Sequence, residues 1–269
     1  MAEEQAEFLE VEHSPFAKYR SPKSTIVNLH ITHNAGTTLC HWAQANGNQF
    51  AGTSMNCNAP TSLDAVTLTQ QDNPFETAER NKYVMFEYRV DDKKTDLAQA
   101  NWESPDIISL LVVRDPLERL LAGDGSVLDK YGHPETRSKQ QWWAYAKDDL
   151  YTRNYQVGIL SNHNLGYGAT DNNPTRALEK AKALTKRITF VLDQACLNDN
   201  LRKFASTLGW KVDTDTGDKG PSTNRPSVEE QINDPELLEF LKKRNREDIE
   251  FYQWAKQRSL VQCDESNSY

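Results

Sequence analysis

A three-layer α/β/α fold around a central, mainly parallel sheet is what this sequence predicts. Three observations carry that reading. Four short, nearly continuous apolar runs read as strands buried on both faces. Helical patterns lie between and after them, as right-handed β-α-β crossovers require. The first apolar run is followed at once by a Gly-containing turn and then a helix.

Taken in chain order, residues 1–23 are polar and broken by Pro15 and Pro22, so they read as an N-terminal arm. Residues 24–269 read as one domain, at the upper edge of what a single core organises. The run T-I-V-N-L-H-I after Ser24 is the first strand, and T-T-L-C-H-W-A is the helix that follows it. From Asn46 to Glu79 the chain is rich in Asn, Gly, Thr, Gln and Pro and reads as a long surface excursion of the kind that lines sites. Further strands are expected at Tyr83 to Arg89, Ile107 to Val113 and Ile188 to Asp193. Helices are expected at Leu117 to Lys130, Ser138 to Asp149, Pro174 to Lys186, Leu197 to Leu208 and Pro235 to Arg258. Pro174 and Pro235 suit first helical turns, and Gly209 suits a C-terminal stop.

Bulk properties narrow the function classes. A formal net charge of −8 and a pI near 5.3 argue against a nonspecific nucleic-acid partner, which needs a basic face to displace counterions from phosphates. The same balance weakens a highly sulfated polyanion as substrate, although a basic cleft can sit on an acidic protein. The first ten residues, M-A-E-E-Q-A-E-F-L-E, lack a signal-peptide layout, and no apolar run approaches the roughly 18 residues that span a bilayer. The expectation is a cytoplasmic protein with no membrane segment in this sequence, the alternative being a Golgi protein whose membrane anchor lies outside it. Cys40, Cys57, Cys196 and Cys263 are scattered with no C-x-x-C pair, so they read as free thiols, a Cys40–Cys57 bridge being the alternative.

Two motifs carry chemistry. In H-I-T-H-N-A-G-T-T-L, small residues Ala35 and Gly36 and hydroxyls Thr37 and Thr38 fall where a strand turns into a helix. Backbone N–H groups and the helix dipole there favour an anionic oxygen cluster; the other reading is a tight turn with an N-cap. No Lys precedes Thr37, which disfavours a Walker-type site and with it an ordinary ATPase or kinase. In L-V-V-R-D-P-L-E-R-L, Arg114 stands at the carboxyl edge of the sheet, where its planar fork suits a phosphate. Asp115 fits a helix N-cap and Pro116 the first helical position; alternatively Arg114 pairs with Asp115 or Glu118.

Together and in this order the two segments resemble the nucleotide-binding signatures of sulfotransferases that use 3′-phosphoadenosine 5′-phosphosulfate (PAPS), most closely the carbohydrate-type branch. There the first signature reads like H-x-P-K-T-G-G-T-S-L and the second like R-D-P-x-E-R-x-x-S. Weaker similarities are D-D-L-Y-T-R-N-Y around Arg153, F-V-L-D-Q-A-C-L-N-D-N-L-R-K-F-A-S-T-L-G-W, and N-R-E-D-I-E-F-Y-Q-W-A-K, which is similar to a closing helix N-x-x-D-x-x-L-Y-x-x-A. The resemblance covers most of residues 24–258 and implies a P-loop-like nucleotide-binding sulfotransferase fold. PAPS is then the sulfuryl donor, no metal is required, and the acceptor is a hydroxyl, or an amine, of a small metabolite or saccharide.

Carried over by position, the resemblance puts His33, Asn34, Ala35, Gly36, Thr37 and Thr38 around the 5′-phosphosulfate and Arg114 on the 3′-phosphate. The family's Ser falls on Ala122, so Ser126, about one helical turn on, is the substitute. P-S-T-N-R-P at Pro221 to Pro226 resembles a loop that closes over the nucleotide, which makes Asn224 and Arg225 further candidates. Relatives carry Lys at position 33, whose charge stabilises the leaving oxygen. His33 can donate a hydrogen bond when neutral and carry charge beside a dianionic phosphate, or it is a passive loop residue in an inactive site.

Sulfuryl transfer needs positioning and charge stabilisation, plus a base for the acceptor's proton. Glu87, in M-F-E-Y-R, lies close to where relatives carry a catalytic His; its other reading is a surface ion pair with Arg89 or Lys82. His30 is a third candidate or a buried strand residue. Trp102, Trp142, Trp143 and Tyr145 either stack on adenine or a sugar, or form core. A kinase-like phosphotransferase and a catalytically silent nucleotide-binding protein are the alternatives.

Overall fold

The computed structural model describes residues 25–46, 57–58, 65–69, 84–89, 97–122, 125–162, 173–210 and 227–263. Its strands are β1 (Thr25–His30), β2 (Val84–Arg89), β3 (Ile107–Val113) and β4 (Phe190–Asp193). The first helices are α1 (Gly36–Ala45), α2 (Ala65–Leu68), α3 (Pro116–Leu120), α4 (Gly125–Tyr131), α5 (Lys139–Ala146) and α6 (Asp149–Thr152). After them come α7 (Tyr155–Asn162), α8 (Pro174–Thr185), α9 (Leu197–Leu208), α10 (Val228–Ile232), α11 (Pro235–Arg244) and α12 (Arg246–Lys256).

The four strands form one sheet in the order β2-β1-β3-β4, and each neighbouring pair is parallel. Side chains of a strand alternate between faces, and the two faces bury different cores. Val27, Leu29, Leu111, Val113 and Val191 pack in one cluster with residues of α7, α8 and α12. Ile26, Ile108, Leu110, Val112, Phe190 and Leu192 pack in another with residues of α1 and α9. β1, β3 and β4 are therefore covered on both sides, which explains why they read as nearly continuous apolar runs. A third cluster joins α3, α4, α5, α10 and α11.

Local chemistry accounts for the helix ends. Pro174 and Pro235 open α8 and α11 behind Asn173 and Asp234, whose side chains accept from first-turn N–H groups. In α9 the buried residues Leu197, Leu201, Phe204 and Leu208 keep the spacing of one helical face. Gly209, left-handed at φ 71, ends it, and the Trp210 N–H returns to the Ala205 carbonyl at 2.8 Å.

Two expected helices are each divided. Leu117 to Lys130 is α3 and α4: the first ends at Leu120 and the second opens on Gly125, a residue type that weakens a continuous helix. Pro235 to Arg258 is α11 and α12, parted at Asn245, whose buried amide donates to the carbonyls of Leu241 and Thr152 at 2.9 Å each. A polar side chain that satisfies the end of one helix and a neighbouring loop leaves no reason for the helix to run on. α2 falls inside the expected surface excursion, α6 and α7 were not expected, and α10 opens on a capping box of Ser227 and Glu230, a signal that went unread.

The cysteines correct the sequence reading. None is free: Cys40 is bonded to Cys57, and Cys196 to Cys263, with Cα–Cα distances of 5.5 Å in both pairs. The Cys40–Cys57 bridge is the alternative that the sequence offered, whereas the Cys196–Cys263 pair, 67 residues apart, is closed only by folding, which is why spacing did not reveal it. The second bridge sits beside a C-terminal strap: Ser259 pairs with Val191 in β4, and the Leu260 N–H donates to the Val191 carbonyl at 2.8 Å. Trp102, Trp142 and Tyr145 are buried core residues, and Trp143 is partly buried against Phe240 with ring centroids 5.2 Å apart. Among the described residues no helix is long and apolar enough to cross a membrane.

Candidate functional site

The sheet order changes direction between β1 and β3. The chain leaving β1 returns on one side as β2, while the chain leaving β3 returns on the other as β4, which makes the carboxyl ends of β1 and β3 the switch point where open α/β sheets bind their ligands. Both motifs singled out from the sequence begin there. One is the loop from Ile31 into α1; the other runs from Arg114 into α3.

The first loop is tight. The Asn34 N–H donates to the Ile31 carbonyl at 2.9 Å, and His33 and Ala35 both have left-handed φ angles, 72° and 58°. Such residues cost of order 1–3 kcal/mol apiece without glycine and persist where their surroundings fix them. Ala35 caps α1, and the first bond of the helix is from the Leu39 N–H to the Ala35 carbonyl at 3.1 Å. The N–H groups of Gly36, Thr37 and Thr38 thus precede the intrahelical ladder, and no acidic residue stands in that turn. Thr37 is exposed, while Thr38 and His33 are half-buried.

The second loop is braced against the first. Arg114 is buried, and its Nη1 donates to the His33 carbonyl at 2.9 Å. Asp115 accepts from the N–H groups of Leu117 and Glu118 at 2.8 and 3.1 Å, and Pro116 opens α3. Burial pushes the Asp115 carboxyl up, against the pull of those two donors and of Arg114. A small cleft of about 180 Å³ between the first turn of α3 and the start of α10 is lined by Asp115, Glu118 and Glu229 with Leu117, Ser227 and Val228. Three carboxylates repel an anion, so the α1 side of this edge is the one suited to phosphate.

The other candidates distribute unevenly. Asn34 is in the loop, but its carboxamide is turned inward: it is 1% exposed and its Nδ2 donates to the Val112 carbonyl at 2.8 Å and to Gln156 Oε1 at 3.1 Å. Glu87 sits in β2 in register with Asn28, two residues short of the strand's end. His30 is the last residue of β1, half-buried and in register with Arg89. Ser126 belongs to α4, so it does not continue the helix that leads to Ala122. Asn224 and Arg225 lie outside the described residues.

Two residues at this edge escaped the sequence reading. Gln156 is fully buried between the loops, and Asp248 of α12 is buried behind it. The Asp248 carboxylate accepts from the N–H groups of Gln156 and Val157 at 3.0 and 2.7 Å, thereby capping α7 from another helix. Burial raises its pKa to about 6, against the pull of the two N–H donors and of Arg119. Arg119 lies 4.0 Å over the Tyr155 ring and donates to the Tyr151 carbonyl. At the end of β4, the Tyr252 hydroxyl donates to Asp193 at 3.0 and 3.2 Å; burial, then the Asp193 charge, push the phenol pKa up. Only the similarity of N-R-E-D to the closing-helix pattern pointed at Asp248, and nothing pointed at Gln156.

Comparison with known proteins finds no matching family model and no curated protein that matches this chain.

Proposed function

We propose that this protein is a PAPS-dependent sulfotransferase with the P-loop-like core of that family, acting on a hydroxyl of a small metabolite or saccharide. One observation carries the reading. The two segments that resemble the family's nucleotide signatures meet at the switch point of the sheet, joined by the bond from Arg114 to the His33 carbonyl.

The donor sets suit a doubly phosphorylated nucleotide. The first-turn N–H groups of α1 with the Thr37 and Thr38 hydroxyls make one place for anionic oxygens, and Arg114 makes a second. PAPS, when bound, supplies a sulfuryl group on a phosphate leaving group. The Ala35–Thr38 turn holds the 5′ end, Arg114 the 3′-phosphate, and Ser126, Asn224 and Arg225 remain members of the nucleotide site. Asn34 contributes by fixing the turn from within rather than by direct contact. His33 donates to the bridging oxygen as the sulfur–oxygen bond breaks, and Glu87 takes the acceptor's proton as the new bond forms.

Two disulfides favour an oxidising compartment. The cytoplasmic expectation rested on the lack of a signal-peptide layout and of an apolar span, and in its place we propose the lumen of a secretory compartment or the cell exterior.

Titration calorimetry with adenosine 3′,5′-bisphosphate tests the reading; binding of magnesium-ATP with no response to the bisphosphate refutes it in favour of a kinase-like enzyme. His33 in the place of the family's Lys favours one rival, a catalytically silent nucleotide-binding protein. Mass spectrometry of acceptor mixtures with PAPS separates the two: a product heavier by one sulfuryl group means an enzyme. Bisphosphate binding without any product, even in a His33→Lys variant, means a silent protein.

A further inference from the structure

Gln156 is the second residue of α7, and none of it reaches solvent. Its carboxamide stands between the two loops of the candidate site. Nε2 donates to the Arg114 carbonyl at 2.9 Å, and Oε1 accepts from Asn34 Nδ2 at 3.1 Å. The Arg114 N–H lies 3.5 Å from the same oxygen. One side chain therefore touches the backbone of the residue that carries the guanidinium and the side chain at the centre of the strained turn.

We propose that Gln156 is a positioning residue that locks the two anion-holding loops into a single rigid cradle. The lock stands on this geometry, and the nature of the anion rests on the sulfotransferase reading above.

Three physical points converge on it. His33 and Ala35 flank Asn34 with left-handed φ angles, a backbone that relaxes unless something over-determines it. Asn34 supplies that constraint, because its amide bridges the Val112 carbonyl of β3 and Gln156. The position also requires a neutral group that donates and accepts at once. Glutamate lacks the donor for the Arg114 carbonyl, an apolar side chain leaves buried polar groups unpaired, and asparagine is one methylene too short. Finally, Gln156 is itself immobilised: Asp248 accepts its N–H at 3.0 Å, and Asn154, just ahead of α7, exchanges hydrogen bonds with Glu247 and Asp248. A lock needs an anchored base, and α12 is that base.

The test is the Gln156→Met variant, read by amide hydrogen exchange without ligand and by calorimetry with adenosine 3′,5′-bisphosphate. The Asn34 and Leu39 amides of the first loop and the Leu117 and Arg119 amides of the second are expected to exchange at least tenfold faster, all together. Bisphosphate affinity is expected to fall at least tenfold. Leu184→Ala, a cavity near the end of α8 where the chain enters β4 at the amino edge of the sheet, lowers the melting temperature but leaves all four amides unchanged. Wild-type exchange in either loop of Gln156→Met, or equal loosening by Leu184→Ala, overturns the lock. Should Gln156→Met not fold, Asn34→Ala opens the same contact from the other end; unchanged exchange at Leu117 and Arg119 in that variant overturns the proposal. If the wild-type protein binds no bisphosphate, the functional reading fails, and the exchange data still decide the lock.

Discussion

Ala35 and His33 show what a single backbone angle does at this site. Each holds a positive φ that a side chain disfavours, and together they fold the chain tightly enough to bring the Gly36–Thr38 turn beside Arg114. Glycine adopts φ near 58° without the steric cost, so Ala35→Gly is expected to stabilise the protein by roughly 0.5–1 kcal/mol in urea unfolding. Asp248 carries the opposite kind of strain. Its pKa rises from 3.8 in an unfolded chain to about 6, so the folded state holds the proton more tightly. Its contribution is complete below pH 3.8 and is lost as pH rises through 6, an effect of about 3 kcal/mol for a shift of this size. Urea midpoints measured from pH 3.5 to 7 are expected to fall through that window, and Asp248→Asn to flatten the slope while lowering stability overall. An unchanged slope in Asp248→Asn assigns the titration to Asp115 or Asp193, which burial also raises.

Among the elements, the strands and the long amphipathic helices were legible. The bounds of β3 and α9 match the sequence reading residue for residue, because a buried strand and a one-sided helix write their environment directly as period and composition. α7 was not legible. Y-Q-V-G-I-L-S-N has no capping residue that works locally; its N–H groups are satisfied by Asp248, 91 and 92 residues away in sequence. The division between α11 and α12 escaped for the same reason, since Asn245 acts on Thr152 across 93 residues. The C-terminal strap on β4 is a further long-range element, held by the Cys196–Cys263 bridge and by Ser259, whose hydroxyl donates to Asn200 Oδ1 at 2.9 Å and accepts from the Asp193 N–H at 2.9 Å. A bridge closing 67 residues constrains the unfolded chain by about 4 kcal/mol, so Cys263→Ser is expected to lose up to that amount and to expose the Leu260 amide to fast exchange. Full protection of Leu260 in that variant would show that the hydroxyl contacts alone hold the strap.

The whole molecule contributes the one thing neither motif possesses alone, which is their meeting. Parallel strands ordered β2-β1-β3-β4 put the carboxyl ends of β1 and β3 side by side, and residues 33 and 114, 81 apart, come within a hydrogen bond. A ligand spanning both loops binds only the folded state. At a hundred times its dissociation constant, adenosine 3′,5′-bisphosphate is expected to stabilise the protein by about 2.7 kcal/mol, a rise of roughly 5–10 °C in melting temperature for a chain of this size. Arg114→Ala is expected to abolish the rise; a variant that keeps it places the 3′-phosphate elsewhere. The acidic lining of the small cleft at the first turn of α3 makes that alternative site a poor one.

The sequence by itself determined the α/β class, the strand cores, the Asp115–Pro116 start of α3 and the presence of a small-residue turn after β1, because each is written within a few neighbouring residues. Tertiary structure alone decided the strand order, the pairing of the cysteines and the inward turn of Asn34. It also decided the place of Gln156 between the loops. Those features depend on groups tens of residues apart, held together by buried hydrogen bonds whose partners no local pattern announces.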